Sequence, residues 1–135
     1  MKKDIEFPTV EGIKITIART MNENQEAAWD VYLINRLKIP INNVFVTSRG
    51  YGFNKDGSPI KTSQLRHFYK DISAEQIIKI EMITPEVFHL NNEYWVSYFI
   101  DNQVFDKKFI FVPDSIREEN LILIDLLNLE GILHE

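Results

Sequence analysis

Hydrophobic and polar residues alternate along most of the chain, and short polar clusters separate the alternating runs. A period of two is the signature of half-buried β-strands, whose successive side chains point to opposite faces. "IKITI" sets Ile13, Ile15 and Ile17 against Lys14 and Thr16. The polar "TMNENQEAA" reads as a loop, and "WDVYLIN" as a second strand with Trp29, Val31 and Leu33 on one face. "KIPINN" turns the chain, because Pro40 has no N–H to give to a ladder. "VFVTS" predicts a third strand, and "NKDGSP" a hairpin turn in which Asp56-Gly57 supplies the positive φ that tight turns need. A more polar fourth strand follows in "IKTSQLRHFY" and a fifth in "QIIKIEMI". After "TPEVFHLNN" turns the chain, "EYWVSYFID" and "QVFDKKFIFV" close into a hairpin through residues 101–103.

About seven strands without a long amphipathic helix predict an all-β protein. The expected architecture is a two-sheet antiparallel sandwich, immunoglobulin- or fibronectin-like, forming one domain over residues 1–135. Beyond Pro113, "DSIREEN" places Ser115 and Glu118 at the spacing of a capping box. Residues 113–135 are therefore expected to hold one short helix and a return segment, "LILIDLLNLEGIL".

Composition agrees with a soluble globular domain, at 44% hydrophobic and 26% charged residues. No apolar run approaches the ~20 residues of a membrane-crossing helix, and "MKKDIEFPTVEG" lacks the apolar core of a secretory signal. Cysteine is absent, so disulfides, thiolate metal sites and cysteine nucleophiles are excluded. Together these point to a cytoplasmic protein.

The net charge of −5 is unevenly distributed. Residues 36–70 carry seven basic side chains against one acid, whereas residues 71–135 carry thirteen acids against four bases. Within the basic stretch, Arg49-Gly50-Tyr51-Gly52-Phe53 resembles the start of the octamer of RNA-recognition motifs, in which aromatics at the third and fifth places stack on bases. The match then stops: Asn54 stands where an apolar residue belongs and Asp56 where a third aromatic belongs. The two amphipathic helices of that fold are also missing from the pattern. The run reads instead as a strand that bends at its glycines as it ends. Arg49, Tyr51, Phe53, Lys55, Lys61 and Arg66 remain a candidate anion or nucleic-acid patch, since basic residues interleaved with aromatics are what backbone contact plus stacking requires.

No catalytic constellation emerges. His67, His89 and His134 are far apart and lack the short spacing of a zinc pair. His67 could act as a base beside Asp71, though an exposed strand histidine fits the pattern as well. Ser48 lacks a nucleophile-elbow context, and Gly50 and Gly52 lack the third glycine of a dinucleotide site. The chain is thus read as neither an enzyme nor a cofactor carrier.

Half of the sixteen aromatic residues fall between Phe88 and Phe111. In a two-residue hairpin, Tyr94, Val96, Tyr98, Ile100, Phe105, Lys107, Phe109 and Phe111 share the core face. Trp95, Ser97, Phe99, Val104, Asp106, Lys108 and Ile110 share the other. Either the C-terminal segment covers this second face, or Trp95, Phe99, Asp106, Lys108 and Ile110 form a protein interface.

The segments 40–52 ("PINNVFVTSRGYG"), 65–68 ("LRHF"), 90–97 ("LNNEYWVS") and 105–111 ("FDKKFIF") resemble those of a small family of bacterial single-domain proteins of unknown function. Some members carry a phenylalanyl-tRNA synthetase α-subunit label. The "F-R-x-E" arginine motif of class II synthetases is absent here, so the sequence gives that label no support. The resemblance implies a single cytoplasmic domain and no site residues. The resulting expectation is a non-catalytic protein-binding or self-associating module, away from membranes. The alternative is a weak nucleic-acid binder using the basic hairpin 36–70.

Overall fold

Ile13, Ile15 and Ile17 share one face of the first strand, β1 (Ile13–Met21), and all three are buried. In the computed structural model, which describes residues 9–134, that face is one wall of a two-sheet sandwich. β2 (Ala27–Asn35) returns beside β1 after a turn in which the Asn22 side chain accepts hydrogen bonds from the backbone N–H groups of Asn24 and Glu26. It buries Trp29, Val31 and Leu33, as the alternation predicts.

The chain then crosses to the second sheet with β3 (Ile41–Phe53), β4 (Pro59–Lys61) and β5 (Leu65–Ile72). β6 (Ile77–Ile83) returns to the first sheet. β7 (Asn91–Ile100) and β8 (Gln103–Phe111) form the aromatic hairpin of the second. β9 (Ile122–Ile124) and β10 (Leu129–His134) complete the first. Sheet 1 runs β6-β2-β1-β10-β9. Sheet 2 runs β3-β7-β8, with β4 and β5 both paired to the free side of β3. Every pairing is antiparallel.

The core lies between the sheets. Sheet 1 contributes Ile15, Ile17, Val31 and Leu33, and sheet 2 contributes Val44, Val46, Tyr98 and Phe109. Burying one such apolar side chain contributes ~1.5–3 kcal/mol, which makes this layer the main source of stability. Lys107 also lies on the inward face of sheet 2, opposite Val96, with its ammonium 4.9 Å from the Phe109 ring centre.

Three expectations are corrected. First, the described residues form ten strands where about seven are expected, partly because the predicted fourth strand is two. Its register against β3 advances by one residue between Tyr51↔Lys61 and Ser48↔Leu65, so residues 62–64 form a bulge holding one extra residue. Second, β3 is longer than the "VFVTS" of the pattern, running from Ile41 through Gly50 and Gly52 to Phe53. The glycines admit Leu90, whose side-chain atoms would stand 3.4 and 3.3 Å from a Cβ at either position.

Third, no C-terminal helix forms. The Ser115 hydroxyl donates to Val112 O and caps nothing, and a single 3-10 turn (Glu118–Asn120) is all that follows. Ile116 is buried instead, and the Ile- and Leu-rich return segment is recruited as β9 and β10. Among the described residues no helix is long and apolar enough to cross a membrane.

Candidate functional site

The outward face of sheet 2 gathers most of the residues singled out in the sequence. Strand pairing lays them out in rows. One row reads Phe68 (β5), Phe45 (β3), Ser97 (β7), Asp106 (β8). The next reads Arg66, Thr47, Trp95, Lys108, and the one beyond it Arg49, Glu93, Ile110. Tyr51 follows on β3, between Lys61 and Asn91. The anion patch and the aromatic patch are therefore one surface.

Three large rings are uncovered there. Phe45 is 50%, Phe68 54% and Trp95 41% exposed. Phe45 and Phe68 lean together with ring centres 4.8 Å apart. Trp95 is held by a hydrogen bond from its indole N–H to Asp106, and the Lys108 ammonium stands 4.7 Å from its ring centre. Phe99 is half-buried, opposite Asn42 and Val104. Ile110 is half-buried at the β8 margin, beside Leu133 and His134 of β10. Elsewhere the C-terminal segment does not cover this face, because β9 and β10 extend the opposite sheet.

The charges on the face are mixed. Glu93 is buried, and its carboxylate accepts from Arg49 Nε at 2.9 Å. That hydrogen bond and charge hold the guanidinium above its ordinary pKa, and its carbon sits 5.1 Å from the Tyr51 ring centre. Lys61, Arg66, Lys70 and Lys108 make no ion pair among the described residues. Phe53 lies at the exposed end of β3, and Lys55 lies in the turn beyond it.

A second cluster occupies the interior side. Glu81 of β6 reaches across the gap between the sheets, and its Oε1 accepts from Ser48 Oγ at 2.8 Å and lies 2.7 Å from His67 Nε2. The Tyr94 hydroxyl also interacts with this carboxylate; burial first, and Glu81 second, push the phenol's pKa well above its ordinary value. His67 thus pairs with Glu81, whereas Asp71 accepts from Asn42 Nδ2 at 2.7 Å. The serine and the histidine both bond the carboxylate, which is not the nucleophile–base–carboxylate chain of acyl transfer.

Sequence reasoning missed Glu81 as well as Phe45 and Phe68. A bulge between β2 and β6 aligns Glu81 with the inward-facing Val31. Simple alternation along "QIIKIEMI" would put Met82 inside and Glu81 out, yet Met82 is exposed. Among the described residues no three His, Asp or Glu side chains converge as metal ligands. Fold and site together define a β-sandwich with an aromatic outer sheet face and a polar clasp between its sheets. Compared with family models, curated proteins and solved structures, the chain matches none.

Proposed function

We propose that the protein is a non-catalytic binding module, working in the cytoplasm, which docks an acidic protein segment on the outward face of sheet 2. The observation that carries this reading is the set of uncovered rings, Phe45, Phe68 and Trp95, with Arg66 and Lys108 in the same rows. Exposed aromatics beside cations are the composition of interface hot spots. Among the described residues Lys61, Arg66, Lys70 and Lys108 have no ion-pair partner, so carboxylates on the incoming chain would complete them.

A single-stranded nucleic acid would also stack on such rings. Glu93 and Asp106 argue against it, because they add two carboxylates to the face along which a phosphate chain would run.

The test uses Trp95 as its own reporter, since Trp29, the other tryptophan, is buried against Phe88. Fluorescence is followed while the protein is titrated with a peptide alternating glutamate and leucine, with its lysine counterpart, and with oligouridine. Saturable binding of the acidic peptide alone, lost in Phe45→Ser/Phe68→Ser, is expected. Tighter binding of oligouridine, weakening steeply with salt, would replace this reading with the nucleic-acid one. Sedimentation showing a dimer that the same double substitution dissociates would identify a second copy as the occupant.

A further inference from the structure

Beside the Glu81 clasp, where β6 faces the β3–β4–β5 side of sheet 2, the sandwich opens into a cleft of about 360 Å³. Its wall includes Ser48, Thr62, Glu81, Asn92 and Tyr94, with Leu65 at the mouth. The one-residue bulge at residues 62–64 forms part of this wall. Bulges recur beside binding sites because they re-aim side chains and interrupt pairing.

We infer that this cleft binds a small organic cation, an ammonium ion with a short apolar body. The hydrogen-bonding inventory decides the sign of the ligand. The Gly50 amide and the side-chain N–H groups of Asn92 and His67 are already committed. Gly50 N–H donates to Thr62 Oγ1 at 2.7 Å, and the Asn92 amide donates to Val87 O and Leu90 O at 3.0 and 3.2 Å. His67 Nε2 is on Glu81, and Arg49, which also lines the cleft, has its guanidinium on Glu93. What remains is acceptor capacity: those of the Glu81 carboxylate's about four lone-pair positions that Ser48 and His67 leave open, and the Asn92 side-chain carbonyl.

An anion entering here would meet the like charge of Glu81. An ammonium supplies three donors and the opposite charge. A largely buried carboxylate gains from such a partner because burial disfavours its charged form. Leu65, Ile83 and Val87 offer the apolar wall against which a hydrocarbon body would lie. The volume is at the lower end of small-molecule sites, roughly 300–1,000 Å³. A bare divalent ion fits poorly, since no second or third carboxylate or imidazole converges with Glu81 and His67 among the described residues. The inference shares no ring with the docking face and stands or falls separately from it.

The experiment is a nuclear magnetic resonance titration of nitrogen-labelled protein with n-butylammonium chloride. Potassium chloride, butanol and sodium butyrate serve as matched comparisons. Saturable shifts confined to the amides around Ser48, Thr62, Glu81 and Asn92 are expected with butylammonium and not with the others. Glu81→Gln should weaken binding by more than about tenfold, the value of a hydrogen bond to a charged group. Ser63→Trp, at the exposed mouth, should block entry while leaving the clasp untouched. Equal responses to butanol or potassium, shifts outside the cleft, or full affinity in Ser63→Trp would overturn the inference. The last holds even if Glu81→Gln fails to fold.

Discussion

Tyr94 and Trp95 are neighbours in the chain and serve opposite sides of one strand. Tyr94 is buried and directs its hydroxyl to Glu81 across the core, while Trp95 stands outside the sheet between Thr47 and Lys108. The pleat separates the clasp from the docking face by the thickness of a single backbone. Substitutions at the two positions should therefore have separable effects.

Trp95→Ala should leave the fold nearly intact, costing about 1 kcal/mol for the lost cation–π contact and indole hydrogen bond at an exposed site. Phe109→Ala, in contrast, removes a fully buried ring and should cost ~3–5 kcal/mol. Urea unfolding of both variants measures the difference. A Trp95→Ala loss as large as that of Phe109→Ala would mean that the outer face is covered.

Glu81→Ala strips the buried Ser48 hydroxyl of its acceptor. Leaving that buried hydroxyl unsatisfied should cost ~1–3 kcal/mol. In a double-mutant cycle, Ser48→Ala and Glu81→Ala should be non-additive, because the pair shares one hydrogen bond. Additive midpoints in urea would remove the clasp from the account of stability.

Alkaline pH should weaken the fold before it ionises the core. Burial pushes the Tyr98 phenol up to about 12, and Tyr69 and Tyr94 are raised as well. The unfolded phenols titrate near their ordinary value, ~10. Between these values the unfolded state has lost protons that the folded state keeps. Stability is therefore complete below pH ~10 and falls as pH rises toward 12. Ultraviolet titration should show phenolate absorbance appearing late, together with loss of β-structure by circular dichroism.

Two glycines should respond differently to alanine. At Gly131 a Cβ would stand 2.9 Å from Ile17 O and 3.0 Å from Thr16 Oγ1, between paired strands that cannot easily yield. Gly131→Ala should cost ~1–3 kcal/mol through overpacking. At Gly57 there is open space, but φ is +85°, so Gly57→Ala should cost only the ~1–2 kcal/mol of a left-handed alanine. Thermal melts of the two variants give the order.

The sequence pattern exposed the parts of this fold that local alternation controls. Ile13, Ile15 and Ile17 are buried as read, and the β7–β8 hairpin pairs Ile100 with Gln103 across a two-residue turn. Where alternation was interrupted, reading failed. Glu81 turns inward only because the β2–β6 register slips by one residue at Val31/Tyr32. Phe45 and Phe68 lie in separate strands; only the pairing of β3 with β5 makes them a surface. At the C-terminus, Ser115 and Glu118 supplied a local helix signal that lost to strand pairing by the Ile- and Leu-rich tail.

Lys107 carries one further consequence. Sheet 2 stops at β8, whose outer edge would be a template for another strand. An inward lysine at such an edge makes strand addition unfavourable, because a newcomer would seal an ammonium against the apolar interior. Growth of the sheet sideways, the route to fibrous aggregates, is thereby discouraged at that boundary. Lys107→Val should remove the gatekeeper and yield concentration-dependent, thioflavin-positive assembly.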